Sequence, residues 1–225
     1  MTDTAVAPPS ARTRIRRIAE NADYQRSTLH AIIDAAYVCH IAFVDDKGTH
    51  NIPTACWREG EHLYIHGSNG GRLLKLLAGG TQACVAITHV DGLVLACSAF
   101  NHSMNYRSAV IYGSFERVAE DAAKRAALDA FMDKLAPGRN AEIRRGNDKE
   151  FAATTVMRIA LDEAVAKVRT GPPIDDEEDM DIPVWTGVLP LVQMPAAPVV
   201  AADAAVETPA YVRQWQGVCI EDKTA

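Results

Sequence analysis

Residues 66–77, HGSNGGRLLKLL, hold the donor set best suited to an anionic ligand. Gly70 and Gly71 let the backbone approach a ligand closely. Ser68, Asn69, the amides that follow them and the start of a helix donate toward one place, while Arg72 adds a planar fork and Lys75 a second cation one turn later. These are the parts of a phosphate cradle, because amides at a helix start and a charge-assisted guanidinium both favour an oxyanion. The same spelling also fits a glycine turn before a surface helix.

A second candidate is NIPTACW, residues 51–57. Pro53 removes a ladder donor and predicts an edge or a bulge. Free backbone groups there, with the Thr54 hydroxyl beside them, suit a planar polar ring; an edge strand of no special role has the same sequence. The third is NHSMNYRSAV, 101–110, where Arg107 and Ser108 fall on opposite faces of a strand and either suits a phosphate or an interface. Seven histidines raise a metal reading. His62 and His66 lie roughly 13 Å apart at strand rise, too far to share one ion. His40, His89 and His102 have no carboxylate or cysteine at ligand spacing, so no metal site is expected. No G-x-S-x-G occurs, and Cys97-Ser98 has no recognisable catalytic partner.

The elements that must carry these residues follow from period and punctuation. The chain has 225 residues, 48% hydrophobic and 23% charged, the balance of one soluble globular domain with or without a tail. Its formal net charge of −6 excludes a general nucleic-acid binder. No segment approaches the roughly 20 apolar residues of a membrane span. The N-terminus MTDTAVAPPSARTRIRR lacks the apolar core of a secretory signal. Five cysteines, odd in number and without a CxxC, read as reduced thiols in a cytoplasm.

Residues 1–22 read as a basic arm, with Arg12, Arg14, Arg16 and Arg17 on a solvated face. Helices are expected in 24–36, 72–80 and 120–138. Strands are expected at 37–44, 49–58 and 62–67, then at 82–90 and 93–100 as a hairpin about Asp91-Gly92, and at 106–119 and 155–169. Residues 140–150 read as a solvated loop, 175–181 as an acidic loop and 182–191 as an extended segment. The tail, 192–225, is rich in Ala and Pro. Strands in hairpin succession argue for a mainly β (α+β) fold: an antiparallel, Greek-key split β-barrel with a few flanking helices. No GxGxxG follows a strand and no P-loop occurs.

The order HNIPTACW, LYIHGSNGGRLLKLL, ITHVDGLVLACSAFNHSMNYRSAV, KVRTGPP and VWTGVLPL resembles the flavin-nucleotide-binding branch of the pyridoxamine 5′-phosphate oxidase-like family, to which nitroimidazole-resistance proteins are also similar. The resemblance covers about residues 12–191. It implies a split barrel over 23–191 that forms a homodimer, with two FMN sites at the interface. Pro53, Thr54 and Ala55 would run along the isoalloxazine. His66, Ser68, Asn69, Gly70, Gly71 and Arg72 would hold the ribityl phosphate, and Thr88 would lie beside the ring. Arg107 and Ser108 would reach the phosphate from the partner subunit, Trp185 would close the site, and His66 would take part in chemistry at the cofactor. One departure matters: after Trp185 no Arg or Lys appears until Arg213. The basic residues that hold a second phosphate in true pyridoxamine phosphate oxidases are therefore missing, and that oxidation is not expected.

Three functions compete. The first is an FMN-dependent oxidoreductase acting on a small organic acceptor. The second is a haem-binding split barrel, with His62, His66, His89 or His102 as axial ligand. The third is a flavin carrier or sensor without turnover. No nucleic-acid or membrane partner is expected.

Overall fold

The computed structural model describes residues 6–204 and 206–215. Residues 1–5 of the expected arm, and 205 and 216–225 of the expected tail with Cys219, lie outside the described residues. In chain order the elements are β1 (Ala22–Asp23), α1 (Arg26–Ala35), β2 (Val38–Asp45), β3 (Gly48–Ala55), β4 (Trp57–Glu59), β5 (His62–Ser68), α2 (Arg72–Ala78), β6 (Gln82–Leu95), β7 (Ser103–Ser114) and β8 (Glu116–Arg117). They continue with α3 (Asp121–Leu135), α4 (Asp148–Ala153), β9 (Thr154–Ala160), β10 (Ala164–Arg169), β11 (Gly187–Pro190) and α5 (Ala210–Arg213).

All strand pairs are antiparallel. The larger sheet runs β1-β10-β7-β6-β2-β3, with β11 also paired to β6; the smaller runs β4-β5-β9-β8. Alternation sets the faces. Cys39, Ile41 and Phe43 of β2 and Leu63 and Ile65 of β5 enter one core with Val85, Ile111, Met157 and Ile159. Helix α1 adds Leu29, Ile32 and Ile33, and α2 adds Leu74 and Leu77. Burying each such side chain stabilises the fold by roughly 1.5–3 kcal/mol. A second, smaller core lies behind β5. Trp57, Tyr64, Val118 and Val156 are covered there by Ala127, Leu128 and Phe131 of α3. That helix starts where Glu120 accepts from the Ala122 and Ala123 amides.

The mainly β, antiparallel fold and the three helices form as their periods predict, and Pro53 sits on the edge strand β3. Asp91-Gly92 is not a hairpin turn. β6 runs straight through it with a register shift between Val90 and Gly92, and the chain turns only after Leu95. Two contacts explain this. Arg107 of β7 grips the Asp91 carboxylate with two bonds of 2.8 Å, and β11 returns to pair with Gly92–Leu95.

The expected strands 49–58 and 155–169 each divide, at Cys56 and at 161–163, because the chain changes sheets there. The strand expected at 106–119 runs instead from Ser103 to Ser114, with β8 beyond Phe115. Within the expected solvated loop, Asn147 and Glu150 form a capping box that starts α4. In the basic arm Arg14, Arg16 and Arg17 are exposed. Thr13 is buried, and Arg12 pairs with Glu163 and lies 4.7 Å from the centre of the Tyr112 ring.

Candidate functional site

β5 delivers the chain to the glycine bend, and much of the bend's donor capacity is used internally. The Asn69 amide donates to Ala153 O, its side-chain amide donates to Ala152 O, and Thr155 Oγ1 donates to Asn69 Oδ1. The Gly70 amide donates to Ser68 Oγ and the Gly71 amide to Ser68 O. A side chain on Gly71 would stand 3.1 Å from the Ser68 carbonyl, so the turn is tight there. The donors left for a ligand are the Ser68 hydroxyl, the first turn of α2, which has no side-chain cap, Arg72 and Lys75.

Arg72 does not stand alone. Its Nη2 donates to Asp45 Oδ2 at 2.5 Å and lies 2.9 Å from His50 Nε2, which is 2.8 Å from Asp45 Oδ1. The Asp45 side chain is only 8% exposed, against 50% for Arg72. The bond from Arg72, and then that with His50, holds the Asp45 carboxyl well below the usual carboxylate range. Nε and Nη1 of Arg72 make no hydrogen bond among the described residues. The guanidinium is thus oriented by a buried acid with donors to spare.

β3 starts at this cluster and forms a free edge of the larger sheet. Pro53 pairs with His40, His40 with Ala86 and Ala86 with Val110, which makes one row on the outer face. Ala55 and Val38, and the Thr88–Ser108–Lys167 row, lie two residues on and on the same face. Thr54 points the other way, beside Cys39. From His50 to Pro53–Ala55 the strand advances roughly 10–17 Å.

Arg107 and Trp185 lie elsewhere. Arg107 is bound to Asp91 and borders a cavity of about 350 Å³ with Thr88, His89, Leu191 and Gln193. Ser108 Oγ donates to Lys167 O. Trp185 is 63% exposed and precedes β11, its ring so close to Gly187 that a Cβ there would be 2.9 Å away. Phe43 near the Arg72 cluster pairs with Ala83, whereas β11 begins opposite Leu95. Arg107 and Trp185 therefore stand some 20–40 Å along β6 from Arg72 within one protomer. The chain carries two separated groups of the residues expected to share a ligand.

His66 belongs to neither group. It lies on the opposite face of β5 from Ile65, in the second core, with its ring centroid 5.8 Å from Trp57 and 4.5 Å from Phe131. Among the described residues its buried Nδ1 has no hydrogen-bond partner, and neither has Trp57 Nε1. Burial pushes the imidazole's pKa down. By contrast His89 Nε2 is bonded to Ile32 O, and His102 Nδ1 to Ser98 O. Sequence reasoning missed Asp45, His50, Asp91, Trp57 and Phe131. The alternation of His62, Tyr64 and His66 with a helix bearing Ala127, Leu128 and Phe131 is the signal that could have joined the aromatic set. No local pattern marks Asp45, whose partner comes from another element.

Two antiparallel sheets about one core, with flanking helices and a glycine–arginine bend after β5, define a split β-barrel. The chain belongs to the pyridoxamine 5′-phosphate oxidase family, whose profile matches residues 25–168. It is similar to the flavocytochrome Anf3 from Azotobacter vinelandii, at 37% identity and a TM-score of 0.88, over 93% of this chain and 98% of that one. It is also similar to the FAD and haem binding protein from Mycobacterium smegmatis, at 39% identity and a TM-score of 0.83, over 88% and 98%. A candidate 5-nitroimidazole antibiotic resistance protein from Bacteroides thetaiotaomicron shares the fold at 22% identity and a TM-score of 0.54, over 65% and 86%. No curated protein matches. Among the described residues no helix is long and apolar enough to cross a membrane.

Proposed function

We propose that this protein is a cytoplasmic flavin-dependent oxidoreductase that holds its cofactor in the seam of a homodimer and acts on a small organic acceptor. The observation that carries the reading is Arg72: an oriented guanidinium with unused donors, at the head of an edge strand that leads to Pro53–Ala55. Arg72 and the open start of α2 would hold the phosphate. The free backbone edge of β3 would face the ring. Arg107 and Trp185, too distant from Arg72 within one chain, would come from the partner subunit, and so would Ser108 beside Arg107. Bound there, the flavin supplies redox chemistry; the chain's own residues bind it, orient it and exclude water.

The relative at 39% identity is described as binding FAD, which favours FAD over FMN. Mass spectrometry of whatever co-purifies, with a titration of FAD and FMN onto stripped protein, decides between them. Arg72→Ala should weaken flavin binding by about 1.5–3 kcal/mol, the range of a charge-assisted hydrogen bond. Unchanged affinity would show the cradle to be misplaced. Turnover with NAD(P)H and nitro, quinone or azo acceptors separates an enzyme from a carrier or sensor.

A second reading adds a haem as a second group, on the strength of His66. Its imidazole, whose buried Nδ1 has no partner among the described residues and which sits between two aromatic walls, would hold the haem iron, and the haem would supply redox chemistry. Two relatives, each above 30% identity, are described as a flavocytochrome and as haem-binding. Haem titration should give a Soret band that His66→Ala abolishes while flavin binding persists. A band untouched by that change would remove His66 from this role.

A further inference from the structure

We infer that the cavity beside Asp91 and Arg107 receives the adenosine end of an FAD whose flavin half is held by the partner subunit, and that Asp91 selects FAD over FMN. This rests on the flavin reading above and goes beyond it in naming the residues that read the second nucleotide. The cavity, of about 350 Å³, is lined by Thr88, His89 and Val90, where the larger sheet has a gap. β7 takes one edge of β6 along most of its length. The other edge meets β2 at residues 83–86 and β11 at residues 92–95. Among the described residues no strand covers that edge at 88–90. Successive residues of a strand direct their backbone groups to alternate edges, so at least one N–H and C=O pair faces the gap.

The side chains around the gap match the parts of an adenylate. Arg107 donates to both Asp91 oxygens at 2.8 Å, through Nε and Nη2. That bond holds the Asp91 carboxyl below its usual range, so it is an acceptor at neutral pH. The pair is neutral as a whole and suits an uncharged, hydroxyl-rich group better than a buried anion. Its side chains are 31% exposed for Asp91 and 37% for Arg107, so a ligand in the cavity can reach them. Each Asp91 oxygen keeps a lone pair, and a carboxylate accepting from ribose hydroxyls is a recurrent way to hold a nucleoside. Arg107 Nη1 makes no hydrogen bond among the described residues and is left for a phosphate oxygen.

The segment after β11 supplies the rest. The Leu191 amide donates to Asp91 O at 3.0 Å, which sets Leu191, Val192 and Gln193 against the cavity. Leu191 and Val192, with Ala35 of α1, offer an aliphatic wall to the face of a base. The Gln193 amide carries the donor and acceptor that match N7 and N6 of adenine. Arg107 is the residue expected to reach the flavin phosphate across the seam. The second phosphate of FAD and its adenosine would continue from there into this cavity, and FMN would end before it.

The test titrates FAD and FMN onto stripped wild type, Asp91→Ala and Gln193→Ala, read by flavin fluorescence. The wild type should bind FAD more tightly than FMN. Asp91→Ala should cut that preference roughly tenfold or more, the loss of a hydrogen bond to a charged group. Gln193→Ala should cut it several-fold with FMN affinity unchanged. A merely structural Asp91 would weaken both flavins alike and leave their ratio where it was. If Asp91→Ala fails to fold, Gln193→Ala decides, because Gln193 is exposed and lies beyond β11. No preference for FAD in the wild type, or a preference that neither variant alters, overturns the inference and leaves the flavin reading standing. A wild type that binds neither flavin ends both. NADH that binds the FMN-loaded wild type but not Asp91→Ala, with the FAD-to-FMN ratio unmoved, would give the cavity to an electron donor and overturn the inference as well.

Discussion

At His66 the imidazole sits between Trp57 and Phe131 with Nδ1 unpaired. Its folded pKa is lowered by burial, while the unfolded chain takes up that proton near pH 6.5. The stability it contributes is therefore present above about pH 6.5 and is lost as pH falls through the folded value. His66→Phe should flatten that acid-side slope. Replacing an unsatisfied polar ring by an apolar one of similar shape should cost less than about 1 kcal/mol at neutral pH. Urea unfolding at about pH 7.5 and about pH 5.5 checks both: the wild type should lose more stability between them than the variant, and equal losses would refute the assignment. Arg72 was legible because glycines and a helix start flag it. Asp45 was not, because DDKG reads as a turn and its pairing with a residue 27 positions away exists only once two elements meet. Asp45 is depressed by that pairing, so its contribution is present above the unfolded value near 3.9 and fails only in stronger acid.

At the scale of elements, β6 shows where sequence reading stops. A turn-forming dipeptide between two apolar runs normally signals a hairpin. Here Asp91 is held by Arg107 and Gly92 is needed for close approach. A Cβ at Gly92 would meet Val188 Cγ1 at 2.9 Å and the Leu189 carbonyl at 3.2 Å. Gly92→Val should therefore displace β11 while leaving the two-sheet core folded. Limited proteolysis should cut faster between residues 170 and 187, and Trp185 fluorescence should shift toward that of free tryptophan. An unchanged digest would show that β11 tolerates the side chain. The helices were readable because α1 and α3 bury one stripe each. α4 was missed although Asn147 and Glu150 spell its capping box, since charged neighbours make it resemble a solvated loop. The strand breaks at Cys56 and at 161–163 leave no trace in local alternation, because changing sheets does not change which residues are apolar.

For the whole molecule, the separation of Arg72 from Arg107 and Trp185 along β6 is the strongest argument for pairing. The outer face exposes Val38 and Val44 at 48% and 64%, on either side of the His40–Ala86–Val110 row. A twofold partner there would cover apolar surface and join complementary half-sites. Val38→Glu, a surface change of small cost to the monomer, should shift sedimentation from dimer to monomer and weaken flavin binding with it. A wild type that sediments as a monomer at micromolar concentration would remove the homodimer from the proposal.

The placing of β11 has one more consequence, for the order in which the chain assembles. Every other strand is already made once Arg169 has been synthesised, and β6 can zip to β7 without help from the C-terminal side. Gly187 to Pro190 arrive later and only fasten the outside of β6. The emerging polypeptide can thus finish its body first and latch it afterwards, so premature termination between the two would leave a folded but unlatched protein.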